Sequence, residues 1–86
     1  MIVHVPSPLQ SYTNKQRTVE AEGDSLRALL QELDSKYPGI RFRMIDEQDG
    51  IRRHIKLFVN SQEVGTIDVP LNEKDVVHII CALSGG

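Results

Sequence analysis

The sequence predicts an α+β domain in two layers, with one amphipathic helix lying across one face of a mixed sheet of four to five strands. Three observations carry this. Leu26, Leu29, Leu30 and Leu33 fall at i, i+3, i+4 and i+7, with Arg27, Gln31, Glu32 and Ser35 on the opposite face, so one helix has one apolar side to bury. Short β-branched or alternating segments stand on both sides of that helix in the chain. Finally, 86 residues suffice for one core and leave no room for a second.

Each element follows in order. Ile2-Val3-His4-Val5 reads as a first strand, which Pro6 and Pro8 cut short because proline cannot donate to a ladder. Ser11 to Lys15 is polar turn material, and the mostly polar Gln16–Ala21 reads as a second strand at an edge, forming a hairpin with the first. Asp24 or Ser25 supplies the N-cap oxygen for the helix. Tyr37 extends the leucine stripe, and Pro38-Gly39 stops it. The segment Ile40-Arg41-Phe42-Arg43-Met44-Ile45 fits a strand or a turn of helix equally well.

Asp46–Gly50 is a loop, with Asp49-Gly50 as its turn signal. In Arg53–Val59, Ile55, Leu57 and Val59 alternate against His54, Lys56 and Phe58, a strand with one apolar face. Asn60–Glu63 turns the chain into a short strand within Val64–Leu71 that ends at Pro70, and Asn72–Asp75 turns it again. Val76–Leu83 is the most apolar run and therefore the central strand, placed beside the first strand because each lacks another good partner. The expected core is Val3, Val5, Leu26, Leu29, Leu30, Leu33, Leu57, Val77 and Ile79.

Composition excludes several classes. With 40% apolar residues, 26% charged and a net charge of −2, the chain is too apolar and too weakly charged to remain disordered. It has no run near the ~18 apolar residues of a membrane span, and no basic segment leading into an apolar one. A soluble, cytoplasmic domain is expected. The acidic balance offers no basic face, so neither nucleic acid nor membrane is an expected partner. Cys81 is the only cysteine, which excludes a disulfide framework. In an apolar strand it reads as a small buried hydrophobe rather than a nucleophile. If the first and last strands adjoin, His4 and His78 lie close on the open face of the sheet. Zinc ordinarily takes three or four convergent ligands, so His4, His54 and His78 read as strand histidines and no metal is expected. Asp46, Glu47 and Asp49 read as solvated loop charges.

The other candidate site is the end of the sequence. Leu83-Ser84-Gly85-Gly86 follows the central strand directly. Glycines there have no turn to make, and without side chains an extended tail can enter a narrow channel and expose its carboxylate to another protein. The expected division is a domain over 1–83 and a flexible tail over 84–86. Alternation puts Val76, His78 and Ile80 on the open face, with Leu83 at the strand's end, as an apolar strip on which a partner docks.

Phe58-Val59-Asn60, the Pro70-Leu71-x-x-x-Asp75-x-Val77 turn and strand, and Gly85-Gly86, set in a β-grasp order of elements, resemble the ThiS/MoaD family of ubiquitin-like sulfur carriers. The resemblance covers the whole chain. Tyr37-Pro38-Gly39, Asp46-Glu47 and Arg52-Arg53-His54 are most similar to the carriers of cysteine biosynthesis, although family members often have Pro where Cys81 or Ala82 stands and Asp-Gly-Asp where Glu73-Lys74-Asp75 stands. The resemblance implies a β-grasp domain that is a protein co-substrate and not an enzyme. A partner adenylating enzyme, using ATP, would activate the Gly86 carboxylate, and sulfide or a persulfide would displace AMP to leave a thiocarboxylate. Gly86 would carry the sulfur and Gly85 and Ser84 would give access to it. A sulfur-accepting enzyme making cysteine, molybdopterin, thiamin or another metabolite would consume it. The free carrier would be a monomer that binds no cofactor of its own. Two other readings compete: a ubiquitin-like modifier joined through Gly86 to lysines, and a plain β-grasp interaction module.

Overall fold

The computed structural model describes residues 1–82, in which five strands form one sheet. They are β1 (Ile2–His4), β2 (Thr18–Glu20), β3 (Ile55–Val59), β4 (Gln62–Val64) and β5 (Val77–Cys81), laid side by side in the order β2-β1-β5-β3-β4. β5 runs parallel to β1 and antiparallel to β3, while the two outer strands pair antiparallel with their neighbours. The most apolar segment is thus central, and the polar β2 lies at an edge. This is a ubiquitin-like β-grasp.

The main helix, α1 (Leu26–Lys36), starts at Ser25, whose extended backbone turns its Oγ to accept the Ala28 N–H at 3.1 Å. Leu26, Leu29, Leu30 and Leu33 are all fully buried against the sheet, as the spacing predicts. At the other end the Tyr37 N–H still reaches the Leu33 carbonyl, after which Gly39 takes a φ of +97° that few other residues tolerate. Asp34 Oδ1 accepts from the Gly39 and Arg41 amides at 3.1 and 3.0 Å and so starts a second, short helix, α2 (Ile40–Met44). The ambiguous segment is therefore helical. It buries Ile40 and Met44 and leaves Phe42 exposed.

One expected element is corrected. The short strand is Gln62–Val64, earlier than the one expected within Val64–Leu71 to end at Pro70. The turn before it needs only Asn60 and Ser61, with Asn60 at φ 57°. The backbone of the following segment is spent on the helix: the Ile67 and Val69 carbonyls accept the Arg27 and Leu26 amides, both at 2.9 Å, and the Leu71 N–H donates to the Asp24 carbonyl at 3.0 Å. A helix leaves its first amides without internal partners, and here an irregular strap supplies them. The strap also buries Ile67 and Leu71, which join Leu9, Ile40, Met44 and Ile45 as core residues that no periodic element announces.

Gly23 leads into α1 where the chain presses on the helix. A Cβ there would stand 2.8 Å from the Leu29 Cα and 2.9 Å from the Ala28 carbonyl carbon, both backbone atoms that cannot swing aside. Gly23→Ala is expected to destabilise the domain by roughly 1–3 kcal/mol, the usual cost of forced overpacking. A urea midpoint equal to wild type would show that residues 22–24 can slide off the helix.

Candidate functional site

β5 places the site. Its alternation sends Val77 and Ile79 into the core and leaves Val76 and His78 half-buried and Ile80 44% exposed on the open face. Val76 stands one residue before the strand, held by Asn60. The Asn60 N–H donates to the Val76 carbonyl at 2.7 Å, and the Val76 N–H returns to Asn60 Oδ1 at 3.0 Å. Asn60 also donates to Asp75 Oδ1 at 3.0 Å, while Asp75 Oδ2 accepts the Asn72 amide at 2.8 Å. The Asn72 amide and the Asn60 side chain hold the Asp75 carboxyl below its usual pKa. Asn60 and Asp75, two of the residues that carried the family resemblance, thus lock the turn that launches the central strand.

Across the open face, the register sets His78 between Phe58 of β3 and His4 of β1, and Ile80 opposite Lys56. The His4 and His78 rings stack 4.6 Å apart at an interplanar angle of 9°. Among the described residues no three metal-ligating side chains gather. Ile2, 43% exposed, continues the apolar surface on β1. Cys81 lies on the core side, half-buried, and burial pushes its thiol pKa up with the Arg43 charge partly opposing. A thiol held protonated is a poor nucleophile.

The remaining polar clusters are structural. Asp46 Oδ1 accepts the Gln48 and Gly50 amides at 2.9 Å each, so this carboxylate caps its own loop. Asp49 bridges Arg27 at 2.9 Å and Arg41 at 3.2 Å, and Arg27 also holds Asp68 at 2.8 Å. Those guanidiniums, Arg27 foremost, keep both carboxyls below their usual pKa. The network ties α1, α2, the 46–50 loop and the strap together, and spacing along the chain gives no sign of it. Leu83, Ser84, Gly85 and Gly86, the rest of the expected site, lie outside the described residues.

Residues 3–86 match the family model of the ThiS family. The chain belongs to the ThiS family. Among curated relatives, the sulfur carrier protein CysO of Mycobacterium tuberculosis is 32% identical over 89 aligned positions, covering 98% of this chain and 96% of CysO. The crystal structure of the BexX/CysO complex of Amycolatopsis orientalis contains a chain that superposes with a TM-score of 0.91 at 27% identity, over 99% of this ThiS-family chain and 98% of that one. SAMP1 from Haloferax volcanii superposes with a TM-score of 0.78 at 19% identity, over 99% of this chain and 97% of that one, which shows a shared fold. Within the ThiS family, the likeness to CysO points to the cysteine-type carriers. No helix of the described residues is long and apolar enough to cross a membrane.

Proposed function

We propose that this chain is a sulfur carrier, a protein co-substrate that catalyses nothing itself. A partner enzyme of the ubiquitin-activating type joins the Gly86 carboxylate to AMP from ATP, releasing pyrophosphate. Sulfide then displaces AMP and leaves a thiocarboxylate on Gly86. With a persulfide as donor the product is an acyl disulfide, which a thiol cleaves, forming a new disulfide with the donor sulfur and releasing the thiocarboxylate. A biosynthetic enzyme takes that sulfur. The observation that carries this reading is the family match running from residue 3 through Gly86, with a sulfur carrier protein 32% identical over nearly the whole chain. A CysO seen in complex with a second protein, BexX, supports the expectation of a partner. The likeness to CysO favours cysteine as the product over molybdopterin or thiamin. The chain itself holds no cofactor, and ATP belongs to the partner.

The division of labour follows from the fold. The domain presents one face and the tail presents one reactive carboxylate, with Gly85 and Ser84 keeping the approach free of bulk. Val76, His78 and Ile80, with Leu83 beyond them, form the strip the partner reads before the tail enters its channel. Incubation with the adenylating enzyme of the same genome, ATP and a sulfur source should raise the intact mass by one sulfur in place of one oxygen. Lysine-linked adducts in its place would make the chain a modifier, and an unchanged mass would leave an interaction module.

Ile80 tests the docking face separately. Its side chain is on the open face and makes no core contact, so Ile80→Asp should melt cooperatively at close to the wild-type temperature, as surface changes usually do. Placing a charge in the strip should cost about 1.4–2.8 kcal/mol of binding, roughly ten- to a hundredfold in KM for the activating enzyme. Normal loading, or an unfolded variant, would remove Ile80 from the docking surface.

A further inference from the structure

β5 is central, yet its last residues have a free side. The hydrogen bonds of Asn60 to Val76 and of Ala82 to His54, with the register between them, send the main-chain groups of residues 76, 78, 80 and 82 towards β3. Those of Val77, Ile79 and Cys81 therefore face the β1 side. There the pairing covers Val3 with Val77 and His4 with His78 and then stops. Continued by one more rung, the parallel register would bring Pro6 against Ile80, its N–H to the Ile79 carbonyl and its carbonyl to the Cys81 N–H. Proline has no N–H to give. Its carbonyl is turned away to accept the Leu9 N–H at 3.0 Å, as the chain coils into the single 3-10 turn Ser7–Leu9. Among the described residues, no partner takes the Ile79 carbonyl or the Cys81 N–H and carbonyl on this side. The gap is a groove of about 400 Å³, walled by Val5, Pro6 and Pro8 on one side and Ile80 on the other.

We propose that this free edge, Ile79–Cys81, is a docking site for an extended segment of the activating enzyme, which adds to β5 as an extra strand where β1 leaves off. The inference rests on the carrier reading given above. Unpaired donors and acceptors spaced along a strand edge are the chemistry that recognises another extended backbone. An incoming residue that gives its N–H to the Ile79 carbonyl and takes the Cys81 N–H completes both bonds in one step. The walls are mostly proline, valine and isoleucine, with His4 and Ser7 as the polar members, and they suit small apolar side chains on that segment. In the chain only four residues separate Cys81 from Gly86. An enzyme that receives Gly86 therefore works within a few residues of this edge, and pairing there anchors the chain just before the tail. The open face then confers affinity, and the edge holds the base of the tail.

Amide hydrogen exchange on the full chain, alone and with the adenylating enzyme of the same genome plus ATP, tests this residue by residue. In the free protein the Ala82 amide, which donates to the His54 carbonyl at 2.7 Å, should exchange about tenfold or more slowly than that of Cys81, which has no acceptor among the described residues. In the complex, the Cys81 amide should slow by about tenfold or more as it gains one. If the Gly85 and Gly86 amides are protected while that of Cys81 stays fast, the edge proposal is overturned and the carrier reading stands. If none of the three is protected, both fall. Protection of Cys81 that grows with the concentration of the carrier alone would assign the edge to a second copy of this chain and overturn the partner.

Discussion

Deleting Gly86 is expected to abolish adenylation while leaving the domain as stable as before. The truncated chain still ends in a glycine carboxylate, chemically almost the same group, but its reach is shorter by about 3.5 Å, one residue of extended chain. An enzyme that joins two reactants gains its rate by holding them in a near-attack geometry, and a misplacement of even about 1 Å can cost a hundredfold. Gly85→Ala and Gly86→Ala should also impair the reaction, through a methyl group in a narrow channel and not through lost reach. Residues at a chain end beyond the last strand usually contribute little to stability, so the melting temperature should move by no more than about a degree. ATP–pyrophosphate exchange with the activating enzyme reads the effect directly. Wild-type rates for the truncated chain would end the diglycine mechanism.

The largest stability effect is expected at Leu30. It sits fully buried in the middle of the α1 stripe, as part of the hydrophobic core. Leu30→Ala should cost roughly 2–5 kcal/mol, a transfer loss plus a cavity. Small domains have about 5–15 kcal/mol in all, so the variant should sit near the edge of folding. A chemical melt is the measurement, and a loss below about 1 kcal/mol would mean that Leu30 is not packed as described.

These two sites differ in how far the amino-acid sequence reveals them. Leu30 is legible because a helix repeats its pattern over several turns, and the four leucines at its spacing have no other use. β5 is legible for the same reason at a period of two, which separates Val77 and Ile79 from His78 and Ile80. From that reading the neighbourhood of His4 and His78 follows, and their rings do stack. Segments without a period are not legible. The strap from Gly65 to Leu71 carries strand-like residues, but its carbonyls go to the first amides of α1, a choice made by a distant helix. α2 is five residues long, too short to show a helical stripe, and Leu9 is buried by a single 3-10 turn. At the candidate site, Pro6 can be read as the end of a strand. Which main-chain groups it leaves unpaired depends on the parallel register with β5, and no local pattern encodes that.

The central position of β5 has a further consequence, in the order of events during synthesis. β1 emerges first but has only β2 to pair with until the last of the described strands has been made. Neither the parallel contact from Val3 to Val77 nor the seating of β3 exists before then. Such long-range pairing makes folding a late, slow event, and until it occurs β1 and β3 both present bare edges prone to wrong association. The same topology works as a proofreading step. A chain cut short before β5 loses the strand that joins the two halves of its sheet and cannot hold its core. Copies that stop before β5 are expected to be unfolded, and so to be poor competitors for any partner that reads the folded sheet.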